Sequence, residues 1–386
     1  MARKKILWLC SWYPSKTEPF NGDFVQRHAK AAAIYNDIHV IHVFAVRGKE
    51  VTVKEEFLAP VAGLSEQVIY YNYSALLFGR LVSYFKMISL YKKAVRNYIQ
   101  RHGKPTLLHV HIPLKSGIAA VWAKARYQLP LLVSEHWGIY NEVVKDNYQG
   151  RNPVFKAMAR KIYASANNVS SVSRFLGECL QKYFGIKKVQ VIYNAVNTDL
   201  FYLKENNRER FRFIHVSNMV PLKNVEGMLR AFKVVSKYHD AELVMVGNTD
   251  DHMQRYVASL DISDDRILFR GEVPYEQVAL EMQDANCLLL FSDMENSPCV
   301  IGEALCCGLP VIATAVGGIP ELLTEQYGFL VAARDEEQLT LAMEKMLNKY
   351  SSFNRQQISE HARKRFSYKE IGNQFDDLYE TMISEK

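Results

Sequence analysis

Two carboxylates, Glu295 and Glu303, frame the stretch Glu295-Asn296-Ser297-Pro298-Cys299-Val300-Ile301-Gly302-Glu303. The apolar run Cys287-Leu288-Leu289-Leu290-Phe291 leads into it. Ser297 followed by Pro298 reads as an N-cap and a first helical residue. This order predicts one carboxylate in the loop before a helix and the other on the helix's second turn. A helix N-terminus offers unpaired N–H groups and the positive end of the helix dipole, so it suits a phosphate. Two carboxylates beside such an anion site suit a ligand that carries both phosphate and sugar hydroxyls. An ordinary βα unit with surface glutamates has the same local pattern, so the rest of the chain must decide.

Other chemistry-bearing residues also fall at the ends of apolar runs. His109-Val110-His111 ends one run, and Glu135-His136-Trp137-Gly138 ends the next. A histidine at a strand end can hydrogen-bond a sugar or move a proton. His109 and His111 point the same way on a strand, so at least one of them is structural. No carboxylate or cysteine stands at ligand spacing from these histidines, and no metal is expected. Gly22, in Pro19-Phe20-Asn21-Gly22-Asp23-Phe24, lies in a loop before a helix, where backbone can approach a ligand closely. The stretch is not a Gly-x-Gly-x-x-Gly fingerprint, so no dinucleotide is indicated. Lys223, in Val216-Ser217-Asn218-Met219-Val220-Pro221-Leu222-Lys223-Asn224, follows a strand and a turn. It can meet a pyrophosphate as a point charge, although surface lysines are common there. Gly247 and Gly271 end strands whose backbone could frame a base. Gly317-Gly318-Ile319-Pro320-Glu321 marks a tight loop into a helix.

Positioning these residues takes a repeated order of strand and helix. In the first half, strands are predicted at 6–9, 38–44, 107–111, 131–135, 169–172 and 189–193. Helices fall between them at 24–33, 114–125, 154–164 and 175–183. The second half restarts with strands at 213–216, 243–246, 267–269, 287–291, 311–313 and 329–331. Its helices are predicted at 225–238, 276–283, 300–306 and 337–347. Short apolar strands alternating with helices imply parallel sheets covered on both faces. The fold class is therefore α/β, with two doubly wound, Rossmann-like domains whose strand ends face across a cleft. The expected domains are 1–198 and 199–367, joined by the polar linker 197–207. A last amphipathic helix at 368–383 is expected to return to the first domain.

Composition narrows the functional classes. The chain has 386 residues and a net charge of +7. Residues 1–200 hold 28 Lys/Arg against 12 Asp/Glu, a balance of +16; residues 201–386 hold 20 against 29, or −9. A basic half suits an anionic membrane or an acidic substrate, and no nucleic-acid motif accompanies it. The helical run 84–101 mixes basic and aromatic residues. Phe85, Ile88, Val95 and Ile99 are expected to share a face, with Lys86, Lys93 and Arg96 nearer the other, as on a helix lying on a bilayer. No apolar stretch is long enough to span one. The first ten residues read as a buried strand, not a leader. The six cysteines read as reduced core residues of a cytoplasmic protein.

The ordered set resembles the retaining GT-B glycosyltransferases of family 4, also described as glycosyl transferases group 1. The resemblance rests on Glu295 and Glu303, then Gly308-Leu309-Pro310-Val311-Ile312-Ala313-Thr314 and Gly317-Gly318-Ile319-Pro320-Glu321. Upstream, Val172-Ser173-Arg174 and Asn194-Ala195-Val196-Asn197 are similar to further family stretches. It implies transfer of a sugar from a nucleotide diphosphate sugar, such as a UDP-sugar, to an acceptor hydroxyl. The setting implied is bacterial cell-surface polysaccharide or glycolipid synthesis, with a carbohydrate or lipid-linked acceptor and an anionic membrane surface as partners. No cofactor is implied. By resemblance, His136, Glu295 and Lys223 are catalytic, with Glu295 at the donor sugar and Lys223 at the diphosphate. Gly22, Asn218, Gly271, Asn296, Ser297, Pro298 and Glu303 bind the donor, with Glu303 on the ribose hydroxyls. Ser217-Asn218 departs from the family's usual Gly-Arg and removes a second cation. A nucleotide-sugar epimerase on the same scaffold, or a degenerate binding subunit, would share much of this pattern.

Overall fold

The computed structural model describes residues 3–47, 53–58, 61–73, 79–205, 208–263 and 265–385. The chain divides into two units, Met1–Ala195 with Tyr368–Lys386, and Val196–Ser367. The sequence reading had set the first boundary after residue 198. The last two residues of its linker, 206 and 207, lie outside the described residues.

In the first unit, β1 (Lys5–Cys10) is followed by α1 (Asp23–Ala32), β2 (Asp37–Val46), β3 (Lys54–Phe57), β4 (Leu64–Asn72) and α2 (Gly79–His102). Then come β5 (Leu107–His111), α3 (Pro113–Tyr127), β6 (Leu131–Glu135), α4 (Pro153–Ser165), β7 (Asn168–Ser171), α5 (Arg174–Phe184) and β8 (Gln190–Val191). The sheet order is β3-β4-β2-β1-β5-β6-β7-β8. Its pairs are parallel except β3 with β4. That antiparallel edge corrects the expectation of a purely parallel sheet. Lys54-Glu55-Glu56-Phe57 carries no apolar run, because an edge strand has a polar side and is kept charged against further pairing. β1 shows why the centre is legible: Leu7 and Leu9 pack on one face, while Ile6, Trp8 and Cys10 pack on the other. Alternation with both faces apolar is what a doubly covered strand requires.

In the second unit, β9 (Phe211–Val216), α6 (Val225–Tyr238), β10 (Ala241–Val246), α7 (Asp251–Ser259), β11 (Ile267–Gly271) and α8 (Tyr275–Gln283) come first. β12 (Cys287–Leu290), α9 (Cys299–Cys306), β13 (Val311–Thr314), β14 (Gly328–Val331), α10 (Glu336–Lys349) and α11 (Arg355–Phe366) follow. The parallel sheet has the order β11-β10-β9-β12-β13-β14. α12 (Tyr368–Ser384) belongs to the first unit, where Asp376 accepts hydrogen bonds from Lys4 and Asn36. No helix among the described residues is long and apolar enough to cross a membrane.

The stripe proposed for α2 is not a membrane face. Ile88 and Val95 are buried in the first unit's core and Ile99 packs against it. Lys92 and Arg96 lie over the Trp122 ring. A mixed helix beside a sheet loses most by leaving its apolar side in water, so burial claims the stripe. Phe85 is separate from it, at 60% exposure. The six cysteines are free.

Candidate active site

The second sheet reverses its winding between β9 and β12. Loops leaving such a pair of strands run to opposite sides and open a crevice for a ligand. Lys223 comes from the loop after β9, and Glu295 from the loop after β12. The Asp293 N–H donates to the Leu222 carbonyl at 2.8 Å and stitches the two loops together. Lys223 Nζ lies 2.5 Å from Glu295 Oε1. Ser292 Oγ donates to the same oxygen at 2.8 Å. Glu295 is buried, so its charge needs this pairing. An ammonium has three N–H donors, and Lys223 held on Glu295 keeps the capacity to meet a second anion.

Gly317 holds the Glu295 backbone. Its φ is 54°, and a Cβ on it would sit 1.7 Å from the Glu295 carbonyl oxygen. The Gly318 N–H donates to that carbonyl at 3.2 Å. Thr314 Oγ1 donates to the Ser292 carbonyl at 2.6 Å. The double glycine was visible in the sequence as a turn, but its target was not.

α9 begins at Cys299, with Pro298 before it at φ −67° and ψ 121° and no side-chain cap. This corrects the expectation that Ser297 caps the helix and Pro298 opens it. The proline ring fixes φ but leaves ψ free, and here ψ stays extended for one more residue. Glu303 still falls on the second turn. It is 2% exposed, and Tyr275 Oη donates to its Oε1 at 3.0 Å. Tyr275, the first residue of α8, was missed because one tyrosine at a helix start carries no motif. Asn296 and Ser297 are half-buried and Pro298 is buried in the connection between the two glutamates. Asn218 is exposed after β9. Gly271 ends β11 at φ 70°, and no described heavy atom lies within 4 Å of the position its Cβ would take.

The remaining candidates lie in the first unit. His136 follows β6 and is buried, with its Nε2 3.0 Å from His111 Nδ1. Burial holds both rings well below the ordinary histidine pKa, and nearby imidazoles add to it. Both are therefore neutral, and one donates to the other. The Glu135 carboxylate accepts from the backbone N–H of His136 and Trp137, at 2.9 and 3.0 Å, and so shapes the turn that aims the ring. His109 bonds Tyr379 and Ser134 at 2.8 and 2.6 Å, which is a core role. His28, on α1, joins His111 and His136, with one ring nitrogen of each within 4.8 Å of the others. This trio could hold a metal ion; the sequence reading had grouped His109 instead. His28 escaped because a residue on a helix facing a sheet has no sequence link to the strand ends it meets. Gly22 precedes α1 at φ 76°, where a Cβ would lie 2.5 Å from the Trp12 backbone. Its close neighbour is thus the chain itself.

Two doubly wound units, the second with a lysine and two buried glutamates around its switch point, define a GT-B fold. Solved structures share it over the whole chain. Sucrose-phosphate synthase from Thermosynechococcus elongatus superposes with a TM-score of 0.78 at 18% identity, covering 99% of this chain and 100% of that one. Anabaena HepE, in complex with UDP and glucose, superposes at 0.71 with 17% identity, covering 98% and 100%. The family profile described as Glycosyltransferase Family 4 matches residues 25–200, and that of Glycosyl transferases group 1 matches 201–365. The chain belongs to this glycosyltransferase family and is a transferase. Among its relatives, N-acetyl-alpha-D-glucosaminyl L-malate synthase of Bacillus anthracis is 26% identical over 71% of this chain and 74% of its own. TuaC of Bacillus subtilis, a glycosyltransferase named for teichuronic acid biosynthesis, is 26% identical over 88% of each.

Proposed function

We propose that this transferase moves a sugar, with retention of anomeric configuration, from a nucleotide diphosphate sugar to an acceptor hydroxyl. The setting would be bacterial cell-surface polysaccharide or glycolipid synthesis. The observation that carries the reading is the Lys223–Glu295 pair at the switch point of the second sheet, with Glu303 buried on the following helix. In this reading the bond between the sugar's anomeric carbon and the phosphate oxygen breaks, the acceptor oxygen bonds that carbon, and the acceptor's hydroxyl proton passes to the leaving phosphate oxygen. The leaving diphosphate carries the developing charge. Lys223 and the N-terminal N–H groups of α9 offset it, as preorganised charges do in a water-poor site. Glu303 accepts from the ribose hydroxyls and Glu295 from the donor sugar. His136 is assigned to the sugar and acceptor. Asn218, in place of a cation, leaves Lys223 as the lysine of this loop for the diphosphate. UDP is the first nucleotide to test, since it accompanies HepE.

A thermal-shift screen over nucleotide sugars tests the donor, because a ligand that binds the native state raises its melting point. The expected result is a shift with one nucleotide sugar in the wild type and a much smaller one in Lys223→Ala. Isomerised donor without any acceptor product would assign an epimerase instead. No metal is assigned a part, so turnover is expected to persist in EDTA; loss restored by added metal would direct attention to the His28–His111–His136 trio. The acceptor is proposed to be carbohydrate or lipid-linked, with the chain at the cytoplasmic face of a membrane. Supporting this, α2 presents Leu81, Val82 and Phe85 at 55%, 58% and 60% exposure in its first two turns, beside exposed Arg80 and Lys86.

A further inference from the structure

The first unit contains a cavity of about 340 Å³ that the donor chemistry does not use. It lies at the carboxyl ends of β1, β2 and β4, beside the start of α2 and α3. That is the side of a doubly wound sheet where ligands bind. Arg47, Arg80 and Lys115 line it, with one carboxylate, Glu18. Among the described residues none of the three cations lies within ion-pair distance of a carboxylate; only the field of Glu18 reaches Lys115. Three cations against one acid leave a net charge of +2 around one cavity. Tyr73 forms part of the wall, with the Arg47 guanidinium 5.7 Å from its ring centre. Such a wall favours the faces of a sugar ring.

His42 supplies a second, independent sign of a ligand. It lines the same cavity and is 2% exposed. Its Nδ1 lies 2.8 Å from the Cys10 carbonyl, so Nδ1 carries the proton and donates. Among the described residues its Nε2 has no hydrogen-bond partner. Burial lowers the ring's pKa to about 4, so it stays neutral near pH 7. A buried lone pair left without a donor is destabilising, and a ligand O–H that reaches it would remove that cost.

We propose that this cavity binds a sugar carrying an anionic group, carboxylate or phosphate, with His42 Nε2 accepting from a ring hydroxyl and Arg47, Arg80 and Lys115 facing the acid. That this sugar is the acceptor rests on the transferase reading; that the cavity binds it does not. The test is saturation-transfer NMR on the full chain with four probes: methyl glucuronide, methyl glucoside, mannose 6-phosphate and mannose. The charged probes are expected to bind at least tenfold more tightly than their neutral partners. Whichever of the two charged probes binds more tightly distinguishes carboxylate from phosphate. In R47S/R80S this preference should vanish. His42→Asn keeps a donor for the Cys10 carbonyl, removes the Nε2 acceptor, and should weaken every probe that binds. Salt at 0.5 M should weaken the charged probes and leave the neutral ones unchanged. Equal binding of charged and neutral probes, or an undiminished preference in R47S/R80S, would overturn the proposal. Melting shifts with nucleotide sugars, measured on the same variants, keep the two readings apart. A missing shift in the wild type counts against the donor assignment, while the difference in NMR preference between the wild type and R47S/R80S reports on the cavity.

Discussion

Glu295 and Glu303 share a residue type but sit in different surroundings. Glu295 is held by Lys223 and Ser292, while Glu303 sits on a helix with Tyr275 on its carboxylate. Replacing Glu303 with Ala is expected to weaken nucleotide binding by about 1–3 kcal/mol, the usual cost of a lost buried hydrogen bond. Glu295→Ala should act mainly on kcat. Calorimetry with the free nucleotide and steady-state kinetics separate the two; equal losses of nucleotide affinity would contradict the division. Gly317→Ala should be worse than its size suggests. It needs a positive φ that alanine resists, and its Cβ would collide with the Glu295 carbonyl. A lower melting point together with loss of turnover is expected, since the loop that carries Glu295 must move. The positions of Glu295, Lys223 and His136 in loops after strands, and of Glu303 on the following helix, were legible from the apolar runs and the helix start. The Lys223–Glu295 bond was not, because 72 residues separate the partners.

At the scale of elements, the strands read most clearly where they are buried on both faces. β3 was missed for the converse reason: it is a charged edge. α2 shows a subtler failure. Its periodicity was real, but periodicity states only that one side is apolar, and the sheet took that side. The residues left in water, Leu81, Val82 and Phe85, lie at its start. Flotation with anionic liposomes should therefore depend on these three. L81S/V82S/F85S is expected to stay with the soluble fraction at low salt, while a K93S/R96S variant should still float in part, each charge near the surface being worth ~1 kcal/mol. If the wild type does not float, membrane contact through α2 is wrong and a soluble acceptor is favoured.

Across the whole molecule, buried histidines tie stability to pH. Burial lowers His28, His42 and His215 to about 4, from an ordinary value of 6.5. The unfolded chain therefore binds more protons than the native one between those values, and stability must fall as pH drops through that window. Each ring contributes on the order of 3 kcal/mol by pH 4, so two or three are comparable with a typical total stability. Glu135 opposes them, since burial pushes its carboxyl pKa up, but it is one group against several. Melting curves from pH 7 to 4.5 should show a steep decline below about 6.5; a flat profile would mean that these rings are hydrated. Local order in the sequence determined the α/β class, the two-fold repeat of strands and helices and the residues at strand ends, because burial periodicity and helix starts are written within a few residues of each other. Only the tertiary structure decided which strand ends became neighbours. Winding reversal put the loops after β9 and β12 side by side, and packing of α1 on the first sheet brought His28 to His111 and His136. Such juxtapositions depend on strand order, and strand order follows from the summed packing of the whole sheet, which no short window of sequence contains.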